Sequence, residues 1–193
     1  MKNLLFILFV VIIVGCSDGE MYYEYYDNSQ AKLSGLIKNG KEEGVWVYMY
    51  PDGSKKMEVT YRSGVQQGPC KMWYNNLEMN TGQLRVRGDY KNGKKEGKFQ
   101  HYHINGNLEA EGSFSEGNEI GLWKTYFDNG KMKKEVKYIE GSKEGEFTIW
   151  HSNGKVSRKG VYVNNKVEGI CKVWDEEGVF VEEELYKNGE LIK

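Results

Sequence analysis

Gly121-Leu122-Trp123-Lys124-Thr125-Tyr126-Phe127-Asp128-Asn129-Gly130-Lys131-Met132-Lys133-Lys134-Glu135-Val136-Lys137-Tyr138 holds two strand-like runs around one turn. Asn-Gly between such runs is a strong short-range hairpin signal, because glycine enters the left-handed backbone region at no steric cost. The turn returns as Asp52-Gly53, Asn105-Gly106, Asn153-Gly154 and Glu177-Gly178. A second turn closes each unit near Gly64, Gly93, Gly117, Gly141 and Gly189, with Asn165 standing in once.

Gly121 is one of six glycines, with Gly44, Gly68, Gly97, Gly145 and Gly169, spaced 24 residues apart except across the second unit, where the spacing is 29. Counting each as position 0, position 2 reads Trp46, Cys70, Phe99, Trp123, Phe147 and Cys171. Position 5 reads Met49, Trp73, Tyr102, Tyr126, Trp150 and Trp174, and position 17 is aromatic throughout: Tyr61, Tyr90, Phe114, Tyr138, Tyr162 and Tyr186. A weaker copy upstream has Tyr22 and Tyr25 in the two aromatic slots, Gly35 and Gly40 in glycine slots and Ile37 in the third aromatic column. Seven units plus a five-residue insertion fill Glu20 to Ile192. So strict a period implies a quasi-linear array in which each unit leans on its neighbours, since none alone buries its apolar face. The expected fold is all-β, an elongated antiparallel hairpin array over residues 20–193.

Side chains on a strand alternate, which predicts one buried face for positions 11, 13, 15 and 17. Position 15 is glycine at Gly35, Gly88, Gly112 and Gly160, leaving room for a neighbouring ring against the backbone. Positions 2 and 5 differ by an odd number, so their rings point to opposite faces unless a bulge intervenes. The insertion, near Asn75 to Thr81, reads as a longer surface loop, which costs little closure entropy.

The motif Gly-x-Trp-x-x-Tyr-x-x-Asn-Gly, an aromatic seven or eight residues on, then Asn-Gly-Lys-x-x-Gly, resembles the bacterial variant of the MORN repeat. Gly121 to Glu144 and Gly145 to Glu168 match it nearly throughout, while Cys70, Cys171 and Met49 depart from its aromatic slots. The resemblance implies a β-hairpin array, and it links the chain to proteins described as antitoxin-like. It supplies no catalytic residue to carry over.

Ahead of the array, Lys2 precedes the apolar run Leu4 to Val14. Spanning a bilayer takes about 20 residues, so this run suits a cleaved secretory signal instead. Its close, Ile13-Val14-Gly15-Cys16, resembles the bacterial lipobox, which implies cleavage before Cys16 and acylation of that cysteine. Two or three acyl chains anchor a protein stably in a leaflet. The expected organisation is a lipoprotein signal peptide at 1–15, a lipidated tether at 16–19 and the repeat domain at 20–193. Ser17 after the cysteine leaves outer-membrane delivery open, on the periplasmic or the surface side.

Loss of Lys2 with the signal leaves 26 basic against 28 acidic residues, a net charge of −2. The signs are interspersed, which disfavours a nucleic-acid groove. Cys70 and Cys171 lie four units apart, roughly 38 Å at the usual strand spacing, too far for a disulfide. They read as small apolar members of an aromatic column. Gly88-Asp89-Tyr90-Lys91-Asn92-Gly93-Lys94-Lys95 has phosphate-loop spacing, but Lys95 stands where a magnesium-binding serine or threonine belongs. His101, His103 and His151 lack companion ligands and read as exposed strand residues. No carboxylate pair, Ser or Cys nucleophile is marked by its setting, so no cofactor, metal, nucleotide or catalytic residue is expected.

What remains is binding. The expected function is that of a non-catalytic, lipid-anchored cell-envelope protein holding a protein or envelope glycan on its repeat surface. Candidate interaction residues are Trp46, Trp73, Tyr102, Trp123, Tyr126, Trp150 and Trp174. The alternatives are an immunity protein acting outside the cytoplasm, from the resemblance, and a hydrolase built on the repeat scaffold.

Overall fold

The computed structural model describes residues 19–75 and 82–193. The signal run, Cys16 and most of the insertion lie outside the described residues. The strands are β1 (Glu20–Tyr25), β2 (Ala31–Lys38), β3 (Lys41–Met49), β4 (Lys55–Arg62), β5 (Val65–Trp73), β6 (Leu84–Lys91), β7 (Lys94–Tyr102) and β8 (Leu108–Ser115). They continue as β9 (Asn118–Tyr126), β10 (Met132–Ile139), β11 (Ser142–Trp150), β12 (Val156–Val163), β13 (Lys166–Trp174), β14 (Phe180–Lys187) and β15 (Glu190–Leu191). All fifteen form one sheet whose spatial order is the chain order, so the expected all-β meander is the observed fold.

Two turn types alternate, one at each margin of the sheet. Asn39-Gly40, Ser63-Gly64, Asn92-Gly93, Glu116-Gly117, Glu140-Gly141, Asn164-Asn165 and Asn188-Gly189 have both residues at positive φ. These are two-residue type I′ hairpins, whose twist matches that of the strands they join. At the other margin, Tyr50-Pro51-Asp52-Gly53 closes with the Gly53 N–H on the Tyr50 carbonyl at 2.9 Å and Gly53 at φ 84°. That is a type I turn ending in a left-handed glycine. Asn28, Asp52, Asn105, Asn129 and Asn153 brace these turns by accepting the N–H two residues on.

Two bulges per unit decide which side chains meet. Between a unit's second strand and the next unit's first, pairing jumps from Ser34↔Val47 to Leu36↔Glu43, so Gly35 alone opposes Gly44 to Trp46. Gly44 accommodates the jump at φ 69°, and all six position-0 glycines have positive φ. Within a unit, Tyr48 pairs with Met57 but Met49 with Lys55, making position 12 the extra residue.

The core occupies one face. Its buried members Trp46, Val59, Cys70, Val86, Phe99, Phe114, Val136, Phe147 and Cys171 come from positions 2, 13, 15 and 17. Position 11 departs from the sequence expectation: the bulge at position 12 turns it to the opposite face. Phe180 is 51% exposed, pairs with Trp174 and meets it ring to ring at 6.1 Å.

Position 15 behaves as expected. A Cβ on Gly35 would lie 2.2 Å from Trp46, one on Gly88 2.5 Å from Phe99, and one on Gly112 2.1 Å from Trp123. Where position 15 is Val59, the facing position 2 shrinks to Cys70, so volume is conserved across the joint. At Gly160 the facing residue is Cys171, and Phe147 of the same unit fills the space. Both cysteines are free and buried, in keeping with a packing role. Burial raises both thiols, that of Cys70 to about 11. Edge-to-face ring pairs such as Phe99–Phe114 at 4.9 Å and Phe114–Trp123 at 5.1 Å run along this face.

Candidate binding face

Position 5 sits an odd number of residues from position 2, and the bulge at position 12 lies on the partner strand, so the position-5 rings emerge on the face away from the core. Trp73, Tyr102, Tyr126, Trp150 and Trp174 are half-buried there, one per unit. Neighbours are two strands apart, roughly 10 Å at ordinary strand spacing. Trp46 and Trp123 are not part of this face, a correction to the sequence expectation. Both occupy position 2. Trp46 is 5% exposed, with its indole N–H on the Leu36 carbonyl, and Trp123 lies over Gly112 with its N–H on the Ser113 carbonyl.

Charged and polar side chains, mostly from positions 3 and 14, with Lys98 from position 1 and Lys55 from position 11, surround these half-buried rings. Arg87 lies over the Tyr102 ring at 5.7 Å and donates from Nε to Gln100 Oε1 at 2.7 Å. The Tyr102 hydroxyl also donates to that oxygen, at 3.3 Å. Glu111 receives Lys98 at 2.8 Å, Gln100 at 3.2 Å and the Tyr126 hydroxyl at 3.2 Å. The Lys98 ammonium foremost, with Tyr126 and Gln100, lowers the Glu111 carboxyl below its ordinary value. Burial, then the Glu111 charge, raises the Tyr126 hydroxyl. Lys55 stands 5.7 Å from the Trp73 ring centre. Further along the face, Lys124 faces Glu135 and Lys172 faces Glu183, each at 3.7 Å. Flat apolar surfaces fenced by paired charges make a surface for binding.

The sequence reading missed a ladder joining units at position 6. The hydroxyls of Tyr26, Tyr50 and Tyr74 donate to the carbonyls of Met49, Trp73 and Tyr102, the next unit's position 5, at 2.9, 3.0 and 2.8 Å. His103 and His151 fill the same role with Nε2 on the carbonyls of Tyr126 and Trp174 at 3.0 and 2.9 Å. A carbonyl only accepts, so Nε2 carries the hydrogen. These histidines are therefore half-buried rungs, a correction to the expectation of exposed strand residues. His101 is half-buried as well, at position 4 on the core side. A second ladder joins Asn28, Asn105, Asn129 and Asn153 through Nδ2 to the next unit's position-7 carbonyl, at 2.7 to 3.0 Å. The signal was present as a column of hydrogen-bonding rings at 24-residue spacing. Among the described residues no three His, Cys, Asp or Glu side chains gather as metal ligands.

The family described as the MORN repeat variant matches residues 95–116, 119–140, 143–164 and 167–188. Each match begins one residue into the first strand after a type I′ turn and reaches the next such turn. No curated protein matches this chain.

Proposed function

From an array in which four successive units match the MORN repeat variant, we propose a non-catalytic binding scaffold, tethered through lipid on Cys16 to a bacterial outer membrane. It holds a protein or an envelope polymer against the face that carries Trp73, Tyr102, Tyr126, Trp150 and Trp174. The observation behind this reading is that in five successive units one aromatic recurs in register on the face the core does not use. Evenly spaced weak contacts add up to high avidity against an extended or repetitive partner. The lipobox-like Ile13-Val14-Gly15-Cys16 supports the tether.

Crosslinking in the native envelope followed by mass spectrometry tests the binding. One reproducible partner is expected, and it should be lost when Trp73, Trp150 and Trp174 become alanine together. Recovery of the same partner from the triple variant refutes the assignment of the face. Labelled palmitate incorporated by the parent chain and absent from Cys16→Ser tests the anchor. An immunity protein is the narrower form of this reading, and would appear as a tight complex with one secreted toxin.

A further inference from the structure

Among the described residues, interior units lack at most one of the two side-chain rungs that join units, as at Phe127 in the first ladder and Asp52 in the second, whereas the last unit lacks both. At position 6, where Tyr26, Tyr50, Tyr74, His103 and His151 donate across the joint, stands Asp175, which instead accepts the Val179 N–H at 2.8 Å. At position 8, the asparagine slot of the second ladder, stands Glu177. An ionised carboxylate has no hydrogen to donate. Both side-chain ladders therefore stop here.

The core face stops as well. Position 15, glycine or valine in all other units, is Glu184, and position 13 is Glu182. The Glu184 carboxylate is only 12% exposed and is held by Arg158 and the Tyr186 hydroxyl. At Gly35 and Gly112 even a Cβ would sit inside the indole of the following unit, and the one side chain that does face a ring from this slot is apolar, Val136 against Phe147; a carboxylate here offers a position-2 ring no apolar surface to pack on. Inward-pointing charge on a strand of this kind is a known device against edge-to-edge pairing, and repeat arrays need terminal units of altered surface.

We infer that the unit from Gly169 to Ile192 is a built-in stop, whose four carboxylates at Asp175, Glu177, Glu182 and Glu184 keep this end of the sheet from accepting the first strands of a second copy. The hazard is specific to this architecture: β1 of one copy presents the same kind of strand that each joint accepts. A head-to-tail contact of that type does not close on itself and grows into filaments. The inference concerns self-association and is independent of the partner proposed above.

The test restores the joint residues in the full chain, as Asp175→Tyr, Glu177→Asn, Glu182→Val and Glu184→Gly together, and compares sedimentation with the parent in one detergent across a concentration series. The parent is expected to hold a constant mass. The variant is expected to form dimers and longer species whose share rises with concentration. A milder variant, Asp175→Tyr with Glu177→Asn, changes only turn residues and should show the same trend more weakly, which covers the case in which the fourfold variant misfolds. Constant mass in a folded variant overturns the inference, as does a parent that already associates through this end.

Discussion

At Gly112 an added methyl carbon would lie 2.1 Å from the Trp123 ring, whereas at Gly121 nothing lies within 4 Å but φ is +67°. The two glycines are thus required for different reasons. Gly112→Ala should destabilise by about 1–3 kcal/mol through overpacking, and Gly121→Ala by about 1–2 kcal/mol through backbone strain, both read from urea denaturation. Only the first should be relieved by shrinking the ring, as Trp123→Cys, the pairing that Val59 and Cys70 already use.

His101 gives a pH dependence at the same scale. Burial foremost, with Lys95 and Arg85, holds its pKa below the ordinary 6.5, while Glu109 opposes this. The unfolded chain therefore binds the proton more readily than the folded one, and stability falls as pH drops through 6.5 towards the folded value. His101→Gln should flatten that part of the stability curve, measured by denaturant midpoints across the range.

These residue roles were unevenly legible in the sequence. The glycine at position 15 and the ring facing it could be read directly, because a missing side chain beside a large one has a single steric meaning. Trp46 and Trp123 could not be assigned to a face, because that depended on bulges. The extra residue at position 12 is Lys56, Arg85, Glu109, Lys133, Ser157 or Val181, a set with no shared chemistry to betray it. The position-5 column was visible, but its separation from position 2 required the strand register, which puts the bulge on the partner strand.

At the scale of the element, the position-6 ladder has one missing rung. Phe127 stands where Tyr50 and Tyr74 donate, and Lys133 lies 5.6 Å from its ring centre. Phe127→Tyr should place a hydroxyl on the Trp150 carbonyl and stabilise by about 0.5–1.5 kcal/mol, and Tyr50→Phe should lose a similar amount. Thermal melts of the pair check both signs. The type I′ turns offer a second adjustment. Glu116 and Glu140 sit at φ 51° and 49°, where asparagine is better tolerated. Glu140→Asn should raise the melting temperature. The turn positions themselves were plain from their dipeptides, whereas the two different turn types were not.

Across the whole molecule, every strand pairs only with its chain neighbours, and the core runs as a band along one face. Stability should then behave as a sum over units and joints. Removing residues 121–144 brings Gly112 opposite Phe147, the arrangement already present at Gly88 and Phe99, so a shorter folded array is expected. Removing twenty residues from the same place breaks the period and should unfold the units on either side. Circular dichroism and hydrogen exchange on the two deletions distinguish these outcomes.

The chain-ordered sheet also bears on how the protein is made. No strand must wait for a distant partner, so the loop-closure entropy that slows most all-β proteins is small at every step. A chain delivered end first, from a ribosome or through a translocation pore, can zip up hairpin by hairpin as it emerges, each new strand finding its template already in place.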